Sequence, residues 1–178
     1  AVSMDAKIAG DLVYVLGETR NELGASEYFA SKQGIGNSVP KVDAGRAIKL
    51  YNALEKAIEA ELVASVQPVG LGGFGIAIAK KCIAGALGAK IDLRKAPKSG
   101  DVQRNDFLLF SETQSRLVVT IAKEDKGEFE QILQGNAFAC IGEIAAGNLE
   151  MVGLDGKKII DSAIADLDEA YKKPLRGY

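Results

Sequence analysis

From Val42 to about Val63 the apolar residues Ala47, Leu50, Tyr51, Leu54, Ile58 and Leu62 recur every three or four positions, with Arg46, Lys49, Lys56 and Glu59 on the opposite side. That spacing predicts an amphipathic helix, and Asp43 stands where an N-cap belongs. Asp11 to Leu16 is a nearly unbroken run of apolar and β-branched residues ending at Gly17, the pattern of a buried strand. Leu117 to Ala122 has the same character. Further strands are expected at 63–69, 89–93 and 137–145, followed by a hairpin from 149–152 and 158–160. Helices are expected from Phe74 to Ala86 and from Lys123 to Leu133, and a closing one from Asp161 to Tyr171, with Asp161 or Ser162 as its cap. Ala96 to Asn105 reads as the main surface loop. Strands and helices alternate, but hairpin-like strands cluster late. The expected fold class is therefore α+β, a layered sandwich of a mixed β-sheet with helices.

Composition narrows the chemistry. The chain has 178 residues, 22 Lys plus Arg, 24 Asp plus Glu and no His. Without imidazole, a Ser-His-Asp triad, a Cys-His pair, a His-ligated zinc and a His general base are excluded within this chain alone. The length suits one domain with a real core. A formal net charge of -2, with the two signs interspersed, gives no footprint for nucleic acid. The most apolar segment is interrupted by Lys80, Lys81 and several glycines, so no membrane span is expected. Cys82 and Cys140 lie in apolar stretches and read as buried free thiols, which suits a reducing cytoplasm. The chain opens without Met and without a signal peptide, as a piece of a longer protein would.

Three polar or glycine-rich clusters carry what chemistry there is. In the first, Gly17 to Glu27, consecutive backbone N–H groups at Gly24, Ala25 and Ser26 lead into a short helix capped by Ser26. Such a turn either cradles a phosphate with its amides or serves only as a capped turn. In the second, Gly70 to Gly75, four glycines match the bare GxGxxG string, but no Lys followed by Ser or Thr completes a P-loop. Tight strand-to-helix packing at Gly72-Gly73 is the stronger reading. In the third, Ser111 to Arg116, Glu112 and Arg116 either pair with each other to fix a turn or reach a ligand. Glu128 with Glu130, and Asp166 with Asp168 and Glu169, fall on polar helix faces and read as solvated. No complete catalytic set or metal-ligand set is present.

The block Asp11 to Tyr28, DLVYVLGETRNELGASEY, closely resembles the opening of the last domain of the phosphoribosylformylglycinamidine synthase family, within the aminoimidazole ribonucleotide synthetase superfamily. Lys41 to Leu62, Gly72 to Ala77, Leu109 to Val119, Phe129 and Ile141 to Ile144 are similar to later family segments, in order. The resemblance implies a single C-terminal synthetase domain over 1–178, a fragment of a longer multidomain enzyme. That enzyme is an ATP-dependent C–N ligase of purine biosynthesis, which converts formylglycinamide ribonucleotide to its amidine with nitrogen from glutamine. It implies that Gly24, Ala25, Ser26 and Glu27 bind the substrate phosphate. ATP and Mg2+ are expected mainly on the missing domains, with no cofactor on the fragment. Implied partners are an upstream ATP-binding domain and a glutaminase subunit or domain, in the cytoplasm, and the fragment alone is expected to be inactive.

Two departures stand out. The family has Gly where Ala25 stands, which a backbone cradle tolerates with a negative φ. Gln67, Pro68, Gly70 and Leu71 replace the family's His-Asp, Ser and acidic residues. Selenophosphate synthetase, thiamine-phosphate kinase and hydrogenase maturation proteins are the rival superfamily members, and the Gly-Glu-Thr to Ser-Glu-Tyr block argues against them. From another class, the rival is a non-catalytic assembly module.

Overall fold

Alternation of inward and outward residues gives the central sheet two apolar faces, and both are covered. A computed structural model describes residues 2–176. Its elements are β1 (Leu12–Leu16), α1 (Glu27–Ser31), α2 (Ala44–Glu59), β2 (Ser65–Pro68), α3 (Gly73–Gly85), β3 (Gly88–Asp92), α4 (Asn105–Phe110), β4 (Leu117–Ile121), α5 (Lys126–Ile132), β5 (Phe138–Ala145), β6 (Leu149–Val152), β7 (Lys158–Ser162) and α6 (Ile164–Lys172). The strands form one seven-stranded sheet in the order β2-β4-β1-β5-β3-β6-β7. Every neighbouring pair is antiparallel except β3 with β6. The mixed α+β sandwich expected from the sequence is the fold observed.

On one face Val13, Val15, Ile91, Ile141, Leu149 and Met151 pack with Phe74, Ile78 and Cys82 of α3 and Leu108 and Leu109 of α4. On the other, Tyr14, Leu16, Leu117, Val119 and Ile121 pack with Leu50, Ala53, Leu54 and Ala57 of α2 and Phe129 of α5. β4 sits between β2 and β1 with all five of its residues buried, which is why its sequence is apolar without alternation. Tyr14 meets Phe129 edge-on, with ring centroids 5.0 Å apart, and donates from its hydroxyl to Glu130. Glu130 is therefore half-buried and engaged, not simply solvated.

Several local expectations are corrected. Asp43 does cap α2, accepting from the Arg46 amide. The closing helix, however, starts after Ala163 with no side-chain cap, because β7 runs on through Ser162 and Asp161 is taken by Asn148 and Lys158. Asn105 to Phe110 is a helical turn where the sequence suggested the end of a loop. Cys82 is buried but Cys140 only half so, and both thiols are free. Burial pushes the Cys82 thiol up to about 12. Among the described residues no helix is long and apolar enough to cross a membrane.

Candidate functional site

The three clusters singled out in the sequence converge behind the end of β1. The hub is Glu112, 7% exposed, whose Oε1 accepts the Glu27 amide at 2.9 Å and the Gly72 amide at 2.8 Å. One carboxylate oxygen thus ties the start of α1 to the entry of α3. Arg116 does not pair with Glu112. Its guanidinium is buried and donates to Thr19 Oγ1 at 2.8 Å, to the Thr113 carbonyl at 3.2 Å and to the Ser111 carbonyl. Burial pushes Arg116 down to about 10, and the Glu22 carboxylate is the nearby charge that opposes the shift. It stays a cation at neutral pH. Ser111 Oγ donates to the Arg20 carbonyl at 2.7 Å and the Arg20 amide donates to Thr113 Oγ1 at 3.1 Å, so residues 18–22 are sewn onto residues 111–116.

The Gly24–Glu27 turn is assembled as the sequence suggests, but its amides are occupied. Gly24 N–H donates to the Ser38 carbonyl at 2.7 Å, Ala25 N–H to the Ile35 carbonyl at 2.6 Å and Ser26 N–H to the Leu23 carbonyl at 3.2 Å, while Glu27 N–H goes to Glu112. The donors invoked for an open phosphate cradle are thus satisfied internally, because the exposed excursion after α1 folds back onto the turn. Ala25 also departs from expectation. Its φ is +57, a left-handed conformation that costs an alanine about 1 kcal/mol, where the family's Gly would be unstrained. Gly24 itself has no room for a side chain, since a Cβ there would lie 2.6 Å from the Ser38 backbone. Ser26 is 1% exposed, accepts the Phe29 amide at 3.2 Å and donates to the Leu23 carbonyl at 2.7 Å. Ser26→Ala is expected to destabilise the domain by about 1 kcal/mol, measured by urea denaturation. An unchanged midpoint would remove the cap from this description.

The second cluster is a packing junction. Gly72 and Gly73 have φ of +81 and +72, and a Cβ on Gly73 would fall 2.6 Å from the Leu109 carbonyl. The Gly73 amide donates to the Gly70 carbonyl and the Gly72 amide to Glu112, so this turn offers no ring of amides to a triphosphate. Gln67 turns its amide onto the Pro68 carbonyl and Leu71 is exposed. Pro68 is tolerated because β2 is an edge strand.

What the motif reading missed is a cleft of 390 Å³ beside these clusters, between the end of β1, the start of α2 and the loop before β5. Arg20, Lys41, Arg46 and Lys49 line it together with Glu18 and Asp43. Glu18 lies 3.5 Å from Arg20 Nε and 3.8 Å from Arg46 Nη1. The sequence signal was available in the basic residues at 41, 46 and 49. Helical periodicity placed Arg46 and Lys49 on the side away from the apolar stripe, Lys41 precedes the helix, and only the fold sets Arg20 beside all three. No group of three or more Asp, Glu, Cys or His able to hold a metal ion occurs among the described residues.

Residues 9–154 match the family model described as AIR synthase related protein, C-terminal domain. Phosphoribosylformylglycinamidine synthase subunit PurL of Thermococcus sibiricus is 33% identical over 172 residues, covering 95% of this chain and 23% of that protein. The chain spans about a quarter of the length of the curated relatives it matches. Among solved structures, T. maritima PurL complexed with FGAR superimposes with a TM-score of 0.81 at 20% identity, over 94% of this chain and 29% of that one. The same protein complexed with ATP gives 0.74 at 19% identity, over 94% of this chain and 27% of that one.

Proposed function

The chain belongs to the AIR synthase related family as its C-terminal domain, and from that premise we propose that it is the closing module of a phosphoribosylformylglycinamidine synthase. The observation that carries this reading is the likeness to synthase subunits along nearly the whole chain, including the specific block Asp11 to Tyr28. In the complete enzyme ATP activates the amide oxygen of formylglycinamide ribonucleotide as an iminophosphate. Ammonia from a glutaminase partner then displaces phosphate to leave the amidine.

This chain's own residues take the positioning part of that work. The Gly72 and Gly73 amides are engaged within the protein, and ATP and Mg2+ belong in this reading to an upstream ATP-binding domain. The proposed substrate contact is the Gly24, Ala25, Ser26, Glu27 turn, whose exposed rim is Ala25 and Glu27. Its rigidity supports that role. Four amides and the Ser26 hydroxyl are bonded inward, so the rim keeps one shape, and Glu112 couples that shape to α3.

Joined in frame to the upstream part of a PurL relative, the chain is expected to support ATP-dependent phosphate release in the presence of formylglycinamide ribonucleotide and ammonia. The 178-residue chain alone is expected to give none. A folded fusion that binds neither substrate nor ATP, or turnover by the fragment by itself, would sink the proposal.

A further inference from the structure

We propose that residues 32–39 form a flap that opens and closes independently of the rest of the fold, and that its closure completes the rim of the Gly24–Glu27 turn. Only the naming of that rim as a substrate contact rests on the synthase reading; the flap is evident in the bonding alone.

The flap is tied down through its backbone. Residues 32–39 are all exposed, Ile35 at 77% and Val39 at 46%, so no apolar side chain of its own anchors it. Three hydrogen bonds close it onto the segment before α1. The Ser38 carbonyl accepts the Gly24 amide at 2.7 Å, the Ile35 carbonyl accepts the Ala25 amide at 2.6 Å, and Ser38 Oγ donates to the Asn21 carbonyl at 2.5 Å. The approach is possible because two glycine backbones meet. A Cβ on Gly36 would lie 2.4 Å from the Phe29 ring and 3.4 Å from Gly24 Cα. A segment held by three hydrogen bonds and no buried side chain opens at far lower cost than the core.

Both ends of the flap are fixed, which makes it a hinged unit and not a frayed loop. At one end Gln33 takes a φ of +58 as the chain leaves α1, and the Gly34 amide returns to the Phe29 carbonyl at 2.8 Å. At the other, the Lys41 amide donates to Oε1 of the buried Glu22 at 3.3 Å, just before α2. The inward bonds of the turn divide accordingly. The Ser26 amide goes to Leu23 and the Glu27 amide to Glu112, both independent of the flap, while the Gly24 and Ala25 amides depend on it. Closure therefore holds Ala25 in its left-handed conformation and gives the rim one shape. Lifting the flap releases that strain and leaves the rim at Ala25 free to move.

The test is amide hydrogen exchange on the 178-residue chain, read residue by residue by heteronuclear NMR. The Gly24 and Ala25 amides are expected to exchange through flap opening, with protection on the order of 10- to 100-fold, against about 10,000-fold or more for Val13 and Val119 in the sheet. The Glu27 amide, held by Glu112, is expected to be slower than both. Gly36→Ala pushes against Phe29 and puts an alanine at a φ of +70. It should speed exchange at Gly24 and Ala25 about tenfold and leave Glu27, Val13 and Val119 unchanged. Ser38→Ala, which removes only the hydroxyl bond, should give about a threefold acceleration at the same two amides. Exchange at Gly24 and Ala25 as slow as at Val13, or Gly36→Ala speeding all five amides together, overturns the flap. Joined in frame to the upstream part of a PurL relative, Gly36→Ala is expected to raise KM for formylglycinamide ribonucleotide about fivefold with KM for ATP unchanged. Equal KM values for the variant and the unmodified fusion overturn the flap's control of the rim. The exchange measurement needs neither ligand nor upstream domain, so a flap that fails it leaves the synthase reading standing.

Discussion

Arg116→Ala is expected to lower stability by about 3–5 kcal/mol, the largest loss for any single side chain around the three clusters. Arg116 is the largest fully buried side chain in the protein. Truncation leaves a cavity and strips the donor from the Thr19 hydroxyl and from the Ser111 and Thr113 carbonyls, all in a dry setting. Arg116→Met fills more of the volume but supplies no donor, so an intermediate loss of about 2 kcal/mol is expected. Urea denaturation of the three proteins measures the series. A loss below about 1 kcal/mol for the alanine variant would show that residues 18–22 and 111–116 hold together without the guanidinium.

The second large effect is a pH dependence. Lys81 is fully buried in α3, where its ammonium donates to Ser65 Oγ, and Ser65 is in turn paired with Thr120 at 2.6 Å. Burial pushes Lys81 down from its ordinary 10.5 to about 8, opposed in part by the carboxylates of Asp5 and Asp11. Below about pH 8 the folded chain carries the cost of a desolvated ammonium. Between about 8 and 10.5 the folded state has released that proton while the unfolded chain still holds it, so Lys81 makes stability rise with pH.

Two other groups act in the opposite sense above pH 9. Cys82 is raised to about 12 and Tyr14 is raised further, so both hold protons that the unfolded chain gives up. The clean measurement is therefore the difference between Lys81→Met and the unmodified chain. The variant is expected to be the more stable of the two near pH 7, and its advantage should shrink by about 3 kcal/mol between pH 7.5 and 10.5. Ser65 and Thr120 remain bonded to each other in the variant, so no new orphan is created. A difference that stays flat across that window would mean that Lys81 is solvated in the folded state.

Elements with strong periodicity were legible in the sequence, and those decided by competition were not. α2 followed from its apolar stripe and Asp43, and β1 and β4 from continuous apolar runs bounded by glycine or a polar turn. The start of α6 did not. Asp161 and Ser162 are good caps by type, yet pairing of β7 with β6 and the reach of Lys158 and Asn148 toward Asp161 claimed them for the strand. Ala25 shows the same conflict, since the turn's geometry imposed a positive φ on a residue that by itself avoids one.

The candidate site divides along a similar line. The residue types in the Gly17, Gly70 and Ser111 clusters marked three places where the backbone needs glycine or a polar anchor, and the resemblance they carry named the family. What one dimension could not contain was who satisfies whom. The three amides that look available in the sequence, at Gly24, Ala25 and Ser26, are met by Ser38, Ile35 and Leu23, and the next, at Glu27, by Glu112, 85 positions away. Glu112 and Arg116, four residues apart, turn to different partners instead of to each other. The cationic cleft exists only because β1 ends opposite the start of α2. Local periodicity is written residue by residue, so the sequence determined the elements and the family. Hydrogen-bond satisfaction and charge proximity depend on chain closure, so the tertiary structure alone decided which polar groups are spent and which are left lining the open cleft.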